Sequence, residues 1–382
     1  MTMNKRETIY ACWLDSVRYL SSASKYKLLE AAKTAENIYR MQERDTLFLI
    51  GAKNSERIQQ AKKEQSPEMV YEMLQKLKIK YTFCNADDFP ARLLSIPDPP
   101  FGLFYRGSLP DQNVPAVAVI GARKCSEYGH CMAKKFAQEL GKRGVNIISG
   151  MALGIDGVSQ RATLEVGARS YGVLGCGVDV VYPKSNQPLY EQLIACGGVL
   201  SEYPIATEPK PMLFPPRNRI ISALSDVVLV VEAREKSGTL ITVDMALEQG
   251  REVYVVPGRC TDNLSCGCNM LLRQGASVAL CAEDIISDMG WEQSLTGAQN
   301  EKKEGVSSYI NIKDLKPLPQ AICGLLDILP VTQDTIIMLL REQGFTETVS
   351  GICRELVELE LRGMIERAGG QYKLRDDIAL KH

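Results

Sequence analysis

Between Val117 and Val256 the chain repeats one pattern: a short apolar run, a loop of small residues, then a stretch with helical periodicity. The runs are VAVIG (117–121), VNIIS (145–149), YGVLG (171–175), VLSEY (199–203), VVLVV (227–231) and VYVV (253–256). Runs this short and this uniformly apolar are buried on both faces, as in parallel sheets covered by helices. Parallel neighbours need a crossover, and helical stretches near 128–142, 155–166 and 187–195 supply it. The expected class is α/β, with an extended Rossmann-like parallel sheet. In such a sheet every loop that follows a strand emerges at one rim, where ligands bind.

Five loops on that rim carry candidate chemistry. In GARKCSEYG (121–129) the glycines allow close backbone approach and Arg123 projects from the strand end; the plain alternative is an ordinary turn with a solvated arginine. In SGMALGID (149–156) Asp156 opens a helix, where it can serve as a cap. GCGVDVVYPKSN (175–186) begins like a dinucleotide fingerprint, but Val180 stands at the third glycine position, so a nicotinamide site is not expected. Its Lys184 can meet phosphate and its Tyr182 can stack on a base; as a solvated charge and a core ring they would be unremarked. Arg217, Asn218 and Arg219 crowd the mouth of a short helix, and guanidinium forks bind phosphate oxygens bidentately. Ser237, Gly238, Thr239 and Thr242 open another helix, whose first amides and dipole favour an anion, although Ser237 or Thr239 can be a plain cap. Convergence is the argument: Arg123, Lys184, Arg217 and Arg219 are expected to line a single basic groove.

The flanks are different. Residues 1–78 read as a small helical domain, with apolar positions at Ile9, Trp13, Val17 and Leu20, and again at Val70, Met73, Leu74 and Leu77. Gly51 turns one helix into the next. The piece is either a packing or dimerisation module or a helix–hairpin–helix relative that touches DNA backbone. Prolines at 90, 97, 99, 100 and 110 bar a long helix before the sheet, and 101–105 is expected as an edge strand ended by Gly107. The sheet domain is assigned to 79–290. Residues 291–318 carry few apolar side chains and the run EKKEG, the mark of a linker. Residues 319–382 read as three helices and a hairpin turning at Gly369 and Gly370, a winged-helix pattern. With seven Lys/Arg against ten Asp/Glu, that segment is expected to contact protein or serve structure rather than read DNA.

Net charge is -1 over 382 residues, which rules out a blanket basic surface and confines any nucleic-acid site to a local patch. No apolar run reaches membrane-spanning length, so no membrane partner is expected. The 12 cysteines are scattered, which fits reduced thiols in the cytoplasm. Cys260, Cys266 and Cys268 lack the paired spacing of a zinc site, and no metal or cofactor is expected. The histidines are His130 and His382, neither with a nucleophile partner at catalytic spacing, so no catalytic residue is assigned.

Through IGARKCSEYG, SGMALGID, GCGVDVVYPKSN, SEYP (201–204), FPPRNRIISALS, SGTLIT, ALEQGREVYVVPG and CGCNMLLRQGA, the chain resembles the DNA processing protein A (DprA/Smf) family over about 80–285. The resemblance implies single-stranded DNA binding, protection of incoming strands and loading of RecA recombinase in natural transformation. It also implies a homodimer through the Rossmann domain and no enzymatic activity. By motif, Arg123, Lys184, Arg217 and Arg219 are implied as phosphate contacts, and 237–242 as the loop beside the strand. A second resemblance is to nucleoside-monophosphate phosphoribohydrolases, which place a carboxylate one turn into the helix after G-T. Here Thr242 holds that place, and a hydroxyl cannot stabilise an oxocarbenium ion as a carboxylate does.

Overall fold

The computed structural model describes residues 3–292, 295, 310–311, 315–326, 330–375 and 380–381. They fall into two compact units, the first of residues 1–125 and 132–296 and the second of residues 126–131 and those beyond 296.

The first unit opens with six helices: α1 (Met3–Ser16), α2 (Ser22–Ala32), α3 (Ala35–Arg40), α4 (Glu43–Ile50), α5 (Ala52–Glu64) and α6 (Pro67–Lys76). Their starts are written in the sequence. The Ser21, Thr34 and Ser66 side chains each accept a hydrogen bond from a backbone amide of the first turn. Gly51, at φ 78°, makes the one-residue turn between α4 and α5.

Nine strands follow: β1 (Lys80–Phe83), β2 (Gly102–Gly107), β3 (Ala116–Ile120), β4 (Asn146–Ser149), β5 (Ser170–Val173), β6 (Gly198–Ser201), β7 (Val227–Val230), β8 (Glu252–Val255) and β9 (Ser277–Val278). They form one sheet in the order β1-β2-β6-β5-β4-β3-β7-β8-β9. From β6 to β9 every pairing is parallel, with Val117 opposite Val227 and Ile120 opposite Val230 at the centre. The β1–β2 and β2–β6 pairings are antiparallel, so the sheet is mixed, not purely parallel. The strand expected at the edge, β2, is paired on both sides, and β1 forms the edge. The sequence KYTF gave no signal strong enough to read as a strand before the proline-rich stretch.

Among the described residues the strands alternate with helices α7 (Glu127–Lys142), α8 (Ile155–Glu165), α9 (Gln187–Cys196), α10 (Phe214–Ala223), α11 (Gly238–Glu248), α12 (Cys266–Arg273) and α13 (Ala282–Asp288). The chain winds from β3 outward to β6, returns along α10, and lays β7 on the other side of β3. The winding direction therefore reverses between β3 and β7, where a doubly wound sheet opens its ligand crevice. Strand β3 is buried at every residue and β7 is wholly inaccessible.

The six N-terminal helices share a core with the antiparallel side of the sheet. Trp13, Leu14, Leu28 and Ile38 belong to one apolar cluster with Phe83, Phe101, Phe104 and Val178. Within it Lys25 and Asp15 form a buried ion pair at 2.5 Å, and the Tyr81 hydroxyl donates to the Ala11 carbonyl at 3.3 Å.

Most of the expected linker at 291–318 lies outside the described residues. Its first residues differ from a linker: Trp291 and Leu295 are buried. The second unit has helices over Pro317–Leu325, Gln333–Glu342 and Val349–Leu361, and a three-stranded sheet of Val331–Thr332, Gln371–Leu374 and Ile365–Ala368. Gly369 and Gly370, both at positive φ, form the hairpin turn that only glycine or asparagine takes easily. Ile322, Ile336, Leu340, Ile352, Leu356 and Tyr372 belong to a core of its own.

Candidate functional site

The rim of the sheet is organised around Phe214. Pro215 and Pro216 fall in the first turn of α10, where their missing N–H costs no helical hydrogen bond and their fixed φ favours the helix. Helix α10 thus starts at the carboxyl end of β5. Gly175 makes room for the ring, since a Cβ there would lie 2.7 Å from it. Three side chains surround Phe214. The Arg123 guanidinium stands 5.6 Å from the ring centroid and that of Arg217 stands 5.7 Å away. The Tyr182 ring lies at 5.5 Å, tilted by 41°. Arg123 and Tyr182 are exposed, the latter by 42%. The cluster therefore presents an aromatic face beside an exposed cation.

Arg217 works from beneath. It is 4% exposed, and its Nη1 donates to the Gly150 carbonyl at 2.9 Å and, in a shorter contact, to the Val173 carbonyl. Its Nε donates to the Asn218 side chain at 3.2 Å. Burial pushes its pKa down to about 10, partly offset by Asp156, so the group stays charged at neutral pH. Burial pushes Asp156 up from the usual carboxylate range, against the pull of Arg217, and its Oδ2 accepts from the Gly150 amide at 3.1 Å. Asp156 is therefore not the helix cap expected from the sequence: Gly154 holds that position without a side-chain cap, and the Asp156 carboxylate instead ties back the loop that follows β4.

Arg219 is a structural ion. It is 7% exposed, and Nη1 and Nη2 grip Glu202 at 2.7 and 2.6 Å. Its Nε donates to the Asp98 carbonyl at 2.7 Å. The expectation that Arg217 and Arg219 line an open groove beside Arg123 and Lys184 is therefore corrected. Side chains two positions apart on a helix point to nearly opposite sides, so the two arginines are buried separately, Arg217 against the carbonyls of Gly150 and Val173 and Arg219 against Glu202 and Asp98. Thr242, at 3% exposure, is likewise buried in α11 rather than presented on the rim.

The loops are held to one another. Gly154 has φ 72°, and a Cβ there would sit 2.2 Å from the Ala122 carbonyl and 2.6 Å from that of Arg123. The Ile155 amide donates to the same Ala122 carbonyl at 3.2 Å. The Asn186 amide group donates to the Met151 and Ala152 carbonyls at 3.0 and 3.2 Å, and Met151 sits at φ 55°. A buried methionine in the left-handed region is a strained backbone held by its surroundings. Lys184, exposed, opens the short 3-10 turn that ends at Asn186. At the head of α11, Gly238 is exposed and Ser237 makes no side-chain cap. The Ser237 Oγ is buried with no hydrogen-bond partner.

The structure also exposes cations that sequence reasoning passed over: Lys124 beside Arg123, Lys210 ahead of α10, Arg234 and Lys236 ahead of α11, and Arg259 after β8. Each lies in a segment following a parallel strand, and that position was the available signal. Glu208, Glu235 and Asp262 are exposed in the same segments, so the rim is basic only in part. Among the described residues no group of three or more His, Cys, Asp and Glu is placed to hold a metal. Cys260 is exposed, Cys266 half-buried and Cys268 buried. No helix among the described residues is long and apolar enough to cross a membrane.

A doubly wound sheet whose carboxyl rim joins exposed cations, an aromatic face and glycine-locked loops defines a Rossmann-type protein suited to a phosphate-bearing ligand. Residues 80–290 match the model of the family DNA recombination-mediator protein A, and the chain belongs to that family. It is 37% identical over 250 residues to Protein Smf of Synechocystis, an alignment covering 64% of this chain and 63% of that protein. The chain thus spans just under two thirds of that relative's length. Its fold matches the X-ray structure of DNA processing protein A from Streptococcus pneumoniae with TM-score 0.65 and 33% identity, over 74% of this chain and 98% of that one. It also matches DNA processing protein A from Helicobacter pylori, a structure concerned with that protein's single-stranded DNA binding mode, with TM-score 0.50 and 30% identity over 55% and 95% of the two chains.

Proposed function

We propose that this chain is a single-stranded DNA-binding recombination mediator that acts by binding, without catalysis. The observation that carries the reading is the Arg123–Phe214–Tyr182 cluster. An exposed cation can take a phosphate while an exposed ring takes a base, the combination that sequence-tolerant single-strand binders use. Lys184, and the newly exposed Lys124, Lys210, Arg234 and Lys236, extend the path for the backbone. The amides at Gly238 and Thr239 add an uncapped helix start. Arg217 contributes field and shape from beneath, and Arg219 contributes rigidity. Family membership supports the further steps: protecting strands, passing them to RecA recombinase in natural transformation, and working in the cytoplasm as a homodimer through the sheet domain. The C-terminal unit, with three helices and a small sheet, is proposed as a winged helix that contacts protein.

The test is binding of oligo-dT against matched duplex at two salt concentrations. Single strands are expected to bind more tightly, with a slope of about -0.7 in log K against log salt for each phosphate neutralised. Arg123→Glu and Lys184→Glu are expected to cut affinity at least tenfold with an unchanged melting temperature. Unchanged affinity in both variants, or nucleotide hydrolysis above background by the purified chain, would sink the reading.

A further inference from the structure

The N-terminal helices carry a groove remote in sequence from the rim loops. A groove of about 690 Å³ runs between the turn after α1 and the flank of α5, floored by Trp13, Val17 and Val70. Tyr19 stands at its edge, 76% exposed and at φ 62°. A bulky non-glycine residue in the left-handed region is uncommon, and something must hold it there. Arg57 does so. Its Nη1 donates to the Tyr19 carbonyl at 2.6 Å and to the Asn54 side chain at 2.9 Å, while its guanidinium lies 5.7 Å from the Tyr19 ring centroid. One arginine thus fixes both the backbone and the ring, leaving much of the tyrosine open to solvent. Exposed Arg18 and Lys53 line the same groove. Of the carboxylates there, Glu64 accepts from Gln60 at 2.7 Å, and Glu56 is exposed. The three cations outnumber the two carboxylates.

We propose that this groove is a second contact for single-stranded nucleic acid, with a base stacked on Tyr19 and neighbouring phosphates on Arg18 and Lys53. The inference rests on the single-strand reading of the sheet rim and extends it to the helical segment. An open aromatic ring in a groove lined by cations suits a base and its phosphates better than it suits an acidic peptide, which would leave the ring unused.

The experiment uses the full chain and a ladder of oligo-dT lengths. Tyr19→Ala, and separately the double variant Arg18→Ala/Lys53→Ala, are expected to leave the affinity for the shortest bound oligomers unchanged. For long oligomers each is expected to lower affinity about fivefold or more. The double variant should also flatten the salt slope by about 1.4, two phosphate contacts' worth. Photocrosslinking of an oligomer containing 5-iododeoxyuridine, read by mass spectrometry, should label Tyr19. Unchanged long-oligomer affinity with no label at Tyr19 overturns the proposal, and so does a loss equal at every length with a lowered melting temperature. Neither outcome touches the Arg123 and Lys184 test, so the two readings fail separately.

Discussion

Arg217 and Arg219 sit two positions apart on one short helix, and both are expected from sequence to meet phosphate. Their environments show different work. Arg219 is sealed in a two-pronged pair with Glu202, whose side chain is 11% exposed. Removing one member of a buried pair strands the other charge in a poorly solvated place. Arg219→Ala should therefore lower unfolding stability by about 3–5 kcal/mol in urea titration. Lysine should rescue little, because it cannot reproduce the fork. The double change Arg219→Ala/Glu202→Ala should cost less than Arg219→Ala alone; equal or greater cost would show that the pair is not the source. Any loss of DNA affinity on changing Arg219 would then report on folding, whereas Arg123 tests contact. The sequence could not separate these two arginines. Nothing in the letters R-N-R says which faces inward; that depends on the sheet against which Ile220 and Ile221 pack.

At the level of elements, the decisive feature is how loops are fastened to one another. The first two rim loops meet at Gly154, whose missing Cβ lets the Ala122 and Arg123 carbonyls approach. Gly154→Ala forces an alanine to φ 72° and into contact with two carbonyl oxygens, which should destabilise the fold by about 1–3 kcal/mol. It should also displace Arg123, so single-strand affinity is expected to fall in calorimetry or fluorescence anisotropy even where the protein remains folded. Unaltered affinity and stability would mean that the loops are not coupled through this glycine. The sequence made the strand–loop–helix units legible because apolar runs and glycine punctuation are local signals. It did not show β1, because KYTF is short and its pairing with β2 spans a proline-rich stretch. Nor did it show that β2 has partners on both sides, which is a fact about residues far apart in the chain.

For the whole molecule, the boundary of the first unit lies later than composition suggests. Trp291 and Leu295 are buried although they fall within the polar stretch read as a linker. A chain ending after residue 296 should keep most single-strand binding, because Arg123, Tyr182, Lys184, Phe214 and the N-terminal groove all lie in the first unit. One ending at 290 should lose stability through the exposed core that Trp291 and Leu295 cover. A tenfold loss of affinity on truncation after 296 would assign the C-terminal unit a direct part in binding.

The sequence by itself determined the class of fold, the order of its strands and helices from β3 to β8, the turns at Gly51 and at Gly369–Gly370, and the family. Those follow from periodicity and from residues with restricted backbone geometry, which act over a few positions. Only the tertiary structure decided which cations face solvent, which hold the frame, and where Phe214 gathers Arg123 and Tyr182. Burial and charge pairing are set by the neighbours that folding brings together, and those neighbours lie tens of residues away in the chain.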